Sequence, residues 1–359
     1  MKKLDLYIIK KFLGTFFFSI ALIISISIVF DFSENVDEFI EKDAPTKAII
    51  FDYYLNFIPY FANLFSPLFI FISVIFFTSK MASNTEIISI LASGISFRRM
   101  LFPYLISAII IGIISFYLNN FLIPKSNEKM LNFKYTYIDD AKNNNEKHIH
   151  LQLDSDSYAY MSSYSSFNNV GIKFTLEQFN AEGELNYKLL ADFIKWDTTK
   201  KMWNIQNYYE RRINGLHESI SRGLSKDTTL NMKPEEFTQR DSDVEIMDFF
   251  ELNKRIAAEK FKGSKKVVFF EIEKHKRIAF PFASLILTFI GVSIASRKVR
   301  GGIGMHLGFG LLISFTFILF MKVTQTFATN GGLDPMLAMW IPNIIFSVLA
   351  VYLLAKAPK

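Results

Sequence analysis

The chain has 359 residues, of which half are apolar and 21% are charged, and its formal net charge is +6. This balance indicates a membrane protein with substantial aqueous portions. Cysteine is absent, which excludes disulfides, thiol chemistry and cysteine-ligated metals. The basic residues are distributed by loop, so the positive charge does not indicate nucleic-acid binding.

Six stretches are long and apolar enough to cross a bilayer, which takes about 20 residues. They comprise residues 12–30, 53–77, 100–122, 278–295, 306–326 and 336–354. We therefore predict an α-helical membrane protein with six transmembrane helices. Residues 1–122 hold the first three helices, residues 123–277 form an inserted domain, and residues 278–359 hold the last three helices.

Lysine and arginine concentrate on alternate loops, which predicts the orientation of the chain. They lie before the first span, between the second and third, between the fourth and fifth, and after the sixth, for example Lys3, Lys80, Arg98, Arg99, Arg297, Lys298, Arg300 and Lys356. The first loop on the other side is acidic. Both termini are therefore expected in the cytoplasm and the inserted domain outside.

The inserted domain has the two-residue periodicity of β-strands. Apolar side chains alternate with polar ones at 149–153, 172–176, 185–193 and 203–209, and turn sequences separate the runs. This pattern predicts a curved antiparallel sheet or sandwich, followed by a helical return over residues 234–261. Such a sheet serves as a spacer, a docking platform, an acyl-chain trough or an edge for another protein's strand, and periodicity does not choose among these.

Sequence signatures of catalysis are missing. The chain has no G-x-x-x-x-G-K-[ST] loop, no H-E-x-x-H and no G-x-S-x-G. His148 and His150 would share a strand face, but no third metal ligand is evident nearby. We expect a non-catalytic protein with no cofactor and no metal site.

The connection between the second and third spans, about residues 83–94, is too apolar for a free loop. Ser83 followed by Glu86 predicts a capping box, and Gly94 a helix end. A short amphipathic helix results, whose isoleucines and leucine, Ile87, Ile88, Ile90 and Leu91, need a surface to bury against. A partner subunit and the lipid interface are the two candidates.

This connection carries a resemblance to a known family. Residues 85–96 and the arginine pair after them resemble the loop motif of the lipopolysaccharide-export permeases (LptF/LptG, also called YjgP/YjgQ). Residues 4–10, the run 297–304 and Trp340-Ile341-Pro342-Asn343 are similar to other parts of that family, more to its LptG branch. The resemblance covers essentially the whole chain.

The resemblance implies a permease subunit of an ATP-driven, ABC-type exporter in the bacterial inner membrane. It implies three protein partners: a paralogous permease, a cytoplasmic P-loop ATPase dimer and a periplasmic bridge with a similar jellyroll-like β domain. Lipopolysaccharide or a related glycolipid would be the cargo. The residues implied in coupling to the ATPase are Glu86, Ile87, Ile90, Leu91, Gly94 and Arg98.

The lipid side of the chain is expected near the outer interface. Lys322, late in the fifth span, is predicted to be either a snorkelling anchor or a cation for a lipid phosphate. Phe30, Phe65 and Phe69 are candidate lipid contacts. Where members of the family can carry a basic residue at the end of the first span, this chain has Asp31.

Two other functions stay open at this level. An ATP-independent lipid or solute transporter would act without a nucleotide-binding subunit. A membrane-anchored receptor or assembly scaffold would be indifferent to reversal of the Glu86 charge.

Overall fold

The computed structural model describes residues 3–138, 145–234, 237, 241–264, 266–297 and 302–357. The chain divides into two compact units. One holds residues 1–139, 245–250 and 271–359, and the other holds residues 140–244 and 251–270. The first unit contains the long helices and the second contains the sheet.

Six helices are long and apolar enough to cross a membrane, as predicted. They are α1 (Lys3–Glu41), α2 (Thr46–Ser83), α4 (Phe97–Tyr137), α6 (Val267–Ala295), α7 (Gly302–Asn330) and α8 (Pro335–Ala355), with two short helices, α3 (Glu86–Ala92) and α5 (Phe249–Phe261). With 39 residues, α1 is ~58 Å long at ~1.5 Å per residue, about twice the hydrocarbon thickness. The helix therefore continues beyond its apolar span into an aqueous or interfacial region, where its last third is acidic.

Helix α2 is the centre of the helical unit because it is apolar on two sides. Ile70 and Val74 belong to a first apolar cluster with residues of α1, α3 and α4. Phe71 and Ile75, one position further on, belong to a second cluster with residues of α6, α7 and α8. Gly310 of α7 lies so close to α2 that an added Cβ would come within 2.4 Å of Ile75 Cδ1.

Helices α1 and α7 are the least covered of the spans. In the most apolar stretch of each of these two helices about a fifth of the residues is buried, whereas more than half is buried in α2 and α6. Large apolar side chains such as Phe18, Phe30, Leu312 and Leu319 are more than 60% exposed. These faces are available to lipid or to another membrane protein.

The second unit is built on a six-stranded antiparallel meander. Its strands are β1 (Asn145–Asp154), β2 (Ser157–Ser165), β3 (Val170–Phe179), β4 (Leu185–Asp197), β5 (Met202–Asn214) and β6 (His217–Thr228), and each pairs with the next in sequence. The apolar core includes Phe174, Ile194 and Trp203, whose indole Nε1 donates to the carbonyl of Met232 at 2.9 Å. The sheet between the third and fourth spanning helices is the inserted β domain that the periodicity predicts.

A crease crosses the sheet and interrupts the alternation of its side chains. His148, Lys173 and Asn207, on β1, β3 and β5, have φ of +54°, +52° and +51°. The pairing skips these residues: Ile172 lies opposite Phe193, and the next pair is Phe174 with Ala191. Each left-handed residue costs about 1 kcal/mol, so the surrounding pairing must enforce this bend.

The crease corrects one part of the sequence prediction. Strict alternation would place each of three residues on the same buried face as a neighbour in its own strand: Ile172 with Phe174, Phe193 with Ala191, and Tyr209 with Trp203. Phe174 is fully buried, but Ile172, Phe193 and Tyr209 are 39%, 41% and 46% exposed. The left-handed residues reverse the alternation of neighbouring strands together, at an unchanged register, and this moves the three side chains to the opposite face.

A buried carboxylate stabilises the far side of the crease. Glu210 is 7% exposed and forms an ion pair with Lys226. Burial alone would raise its pKa, but Lys226 and the Tyr187 hydroxyl hold the pKa of Glu210 below its usual value. Burial and this neighbouring carboxylate raise the pKa of Tyr187 to about 12. The ionised acid is therefore part of the folded sheet.

Candidate functional site

The short helix α3 and the residues around it form the candidate coupling site. Its N-cap is Thr85, with φ of +61° and no side-chain hydrogen bond to the helix. The predicted capping box is therefore wrong, because Ser83 is the last residue of α2 and does not reach the new helix. The predicted end is confirmed: Gly94 has φ of +84° and its N–H donates to the Leu91 carbonyl at 3.0 Å.

The apolar side of α3 packs onto its own chain. Ile87 is 2% exposed and joins the first apolar cluster, and Ile90 and Leu91 are half-buried against it. Ile88 points the other way and is 56% exposed. Ile87 therefore holds the helix in place and has almost no exposed surface.

Glu86 lies on the rim of this helix and is partly exposed. Tyr7 of α1 donates its hydroxyl to Glu86 Oε2 at 3.2 Å, and Asn84 donates its side-chain amide to Oε1 at 3.2 Å. A carboxylate has about four lone-pair sites, so these two bonds orient the group and leave it able to accept from a cation.

The arginine pair after α3 divides its roles. Arg98 is exposed, whereas Arg99 makes a bidentate ion pair with Asp5, at 2.8 and 2.7 Å. Asp5 is 2% exposed, and Arg99 also lies 5.3 Å from the ring centre of Phe102. Sequence reasoning missed this pair, although a single acid among the apolar residues 4–9 was a signal that it needed a partner.

Asp31, the departure noted in the first span, is held by two tyrosines. The hydroxyls of Tyr53 and Tyr54, at the start of α2, donate to its two carboxylate oxygens at 3.0 and 3.1 Å. The neighbouring Phe39 and Phe133 pack with these tyrosines in an aromatic cluster at the ends of α1, α2 and α4. The acid thus joins the end of α1 to the start of α2.

The predicted lipid contacts do not form one cluster. Phe30 is 72% exposed, whereas Phe65 and Phe69 of α2 are half-buried against the first apolar cluster. Lys322 is exposed on α7 and lies near Glu245. Burial raises the pKa of Glu245, and Lys322 is among the cations that oppose this rise.

A paired charge cluster at the start of α6 was also missed. Glu273 accepts from Lys276 and Arg277, both at 2.9 Å, and Arg277 donates to the Met247 carbonyl at 2.7 Å. These groups border a cavity of about 40 Å³ whose lining also includes Tyr60, Asn63, Asn119 and Asn127. The charges before the fourth span were the signal, but their pairing depends on the fold.

The sheet offers little chemistry. His148 Nδ1 is 3.1 Å from the Tyr160 hydroxyl, and the His150 ring is 4.6 Å from the Tyr160 ring. Among the residues that the structure describes, no group of three histidines, aspartates or glutamates is arranged to bind a metal ion.

Comparison with known proteins agrees with this arrangement. The sequence model of one family, described as lipopolysaccharide export system permease LptF/LptG, matches residues 6–356. A search of curated proteins finds no match to the chain. The match, together with six membrane-spanning helices and an inserted β domain, identifies a multi-pass inner-membrane transport subunit rather than an enzyme. The chain belongs to the LptF/LptG family of lipopolysaccharide export permeases.

Proposed function

We propose that this chain is one permease half of an ATP-driven exporter, closer to the LptG branch of its family. It takes lipopolysaccharide or a related glycolipid from the inner membrane and passes it to a periplasmic bridge protein. A separate P-loop ATPase dimer supplies the energy, and a paralogous permease completes the membrane part. In this orientation both termini are cytoplasmic and the sheet is periplasmic.

The observation that carries the proposal is the outward face of α3. Ile88 is 56% exposed beside the partly exposed Glu86, while Ile87 fastens the helix to the bundle. An apolar side chain next to an oriented acid suits a groove with an apolar floor and a basic rim. Gly94 and Arg98, both exposed, extend this face beyond the helix.

The lipid side is proposed from charge and exposure. Lys322 is a cation on one of the two least covered helices, and Phe30 is an exposed aromatic residue on the other. A lipid phosphate near the outer interface would find a cation at Lys322 and apolar contacts on α1. Asp31, already bonded to two tyrosines, takes no part as a phosphate ligand.

The sheet is proposed as the part that passes lipid onward. Both of its outermost strands, β1 and β6, have one edge without a strand partner in the described part of the chain. Ile220 and Leu224 on β6 are 67% and 83% exposed. An edge with exposed apolar residues favours pairing with a similar sheet of a bridge protein.

The test is co-isolation of an ATPase from native membranes. The wild-type chain should retain a P-loop ATPase, and Glu86→Lys should lose it because a cationic rim would then face a like charge. Glu41→Lys is the matched control. Glu41 is an exposed acid at the last residue of α1, far along the helix from Tyr7, which contacts Glu86. Retention by Glu86→Lys, or absence of any ATPase with the wild-type chain, would refute the proposal.

A further inference from the structure

Two polar contacts join the first turns of α1 to the start of α3 and to the first turn of α4. At the first residue of α3, Tyr7 donates to Glu86 Oε2 at 3.2 Å. After it, Arg99 holds Asp5 through two hydrogen bonds of 2.8 and 2.7 Å. The beginning of α1 therefore contacts the start of α3 and the start of α4.

The Asp5–Arg99 pair is the stronger of these contacts. Asp5 is 2% exposed, so its charge needs the fork of the guanidinium, whose two parallel bonds also fix direction. Removing Arg99 would leave the buried Asp5 carboxylate poorly solvated, which is far more costly than leaving both charges in place. Separation of α1 from the start of α4 is therefore strongly opposed.

Apolar packing closes the space beneath these contacts. Ile8 and Phe12 of α1 lie in the same cluster as Ile87 and Phe97. The Tyr7 ring also meets Phe77 edge-on, with ring centres 6.1 Å apart, which directs its hydroxyl toward Glu86. A displacement of α3 against α1 would have to break the polar contacts and unpack this cluster together.

We propose that Asp5, Tyr7 and Arg99 form a strap that makes α1 move with α3 and with the start of α4, which follows α3 in the chain. They are positioning residues, which contact neither nucleotide nor lipid. Resting on the proposed function, the inference adds the route: a displacement imposed on α3 by the ATPase passes to α1, whose exposed apolar face borders the lipid. The strap stays closed throughout the cycle.

The first experiment opens the strap without leaving a buried charge. The double variant Asp5→Leu with Arg99→Met replaces the pair by apolar side chains of similar size, an exchange that is often neutral for stability. Purified complexes in vesicles are assayed for lipopolysaccharide transferred to the bridge protein per ATP hydrolysed. We expect this ratio to fall at least about fivefold, the lower end of typical coupling between sites.

The matched control removes an ion pair by the same chemistry elsewhere. Glu259→Leu with Arg255→Met deletes an ion pair of 2.8 Å within α5 and should leave the ratio unchanged. Tyr7→Phe removes only the hydroxyl and should lower the ratio about two- to tenfold, as loss of one hydrogen bond of ordinary strength does.

The second experiment closes the strap permanently. Because the chain has no cysteine, Asp5→Cys with Arg99→Cys can be joined by a short thiol-specific crosslinker without background reaction. Lipid transfer should survive crosslinking, since the two ends are inferred to stay together. Arrest of transfer by the crosslink would overturn the strap even if the double apolar variant does not assemble.

The outcomes separate the two proposals. A wild-type chain that binds no ATPase overturns the proposed function and the strap with it. Normal ATPase binding, combined with an unchanged ratio in the opened variants or arrest of transfer by the crosslink, overturns the strap alone.

Discussion

Two adjacent isoleucines on α3 should respond in opposite ways to the same truncation. Ile87 is 2% exposed inside the first apolar cluster, whereas Ile88 is 56% exposed on the outward face. They have the same side chain and lie on the same helix. A comparison of Ile87→Ala with Ile88→Ala therefore separates anchoring of the helix from contact with a partner.

The magnitudes follow from burial. Truncating a buried isoleucine to alanine costs about 2–5 kcal/mol through lost transfer energy and the cavity left behind. We expect about 2–3 kcal/mol for Ile87, because a helix of seven residues can settle into part of the space. Ile88→Ala should change the free energy of unfolding by less than about 0.5 kcal/mol, as surface substitutions usually do.

The assay pairs unfolding with binding. Unfolding of the detergent-purified chain is followed by fluorescence, and binding by titration with the purified ATPase. Ile88→Ala should weaken ATPase binding about five- to thirtyfold, which corresponds to about 1–2 kcal/mol, at unchanged stability. Ile87→Ala should mainly lower the free energy of unfolding. Equal stability losses, or full ATPase affinity in Ile88→Ala, would refute the assignment of the two faces.

Three further outcomes follow from other parts of the chain. Lys322→Ala should reduce crosslinking of the complex to lipopolysaccharide while the complex still assembles. Lys254→Ala, which removes an exposed lysine of α5, should not, and unchanged crosslinking in Lys322→Ala removes Lys322 from the lipid site. Lys173→Val should destabilise the sheet by about 1–2 kcal/mol, because a β-branched residue resists positive φ. Lys173→Gly should be neutral or stabilising, and the control Lys195→Val should be neutral. Thermal unfolding measures all three. The pKa of Glu210 in the folded sheet is held below its usual value of 4.5. The ionised carboxylate therefore stabilises the fold fully above pH 4.5, and this stabilisation is lost as the pH falls through the lower pKa of the folded state. In Glu210→Gln this loss should disappear from acid-unfolding curves.

The membrane architecture could be predicted from the sequence. A span of about 20 apolar residues is defined by its own composition, so each of the six helices could be located without knowledge of its neighbours. The strands near residues 149–153, 172–176, 185–193 and 203–209 were recognised by their local period. Strands β2 and β6 were not, because Ser157–Ser165 and His217–Thr228 are too polar for a clear apolar alternation.

The coupling site could be predicted only in part. Glu86 and Gly94 were identified by local sequence, and Gly94 ends the helix as expected. The sequence did not determine which face of α3 is buried. The apolar residues lie on every side of this short helix, so periodicity cannot tell which of them point inward; they are Ile87, Ile88, Ile90 and Leu91.

Only the tertiary structure decided the contacts between residues that are distant in the sequence. Asp5 and Arg99 are 94 positions apart, and Tyr7 and Glu86 are 79 apart. Their pairing arises because apolar packing brings α1 beside α3 and α4, and a buried carboxylate in that packing requires a cation. The crease has the same origin, since Lys173 adopts a disfavoured φ only under the pairing of its neighbouring strands. Composition and period act within one segment, whereas these features come from the free energy of several segments packed together.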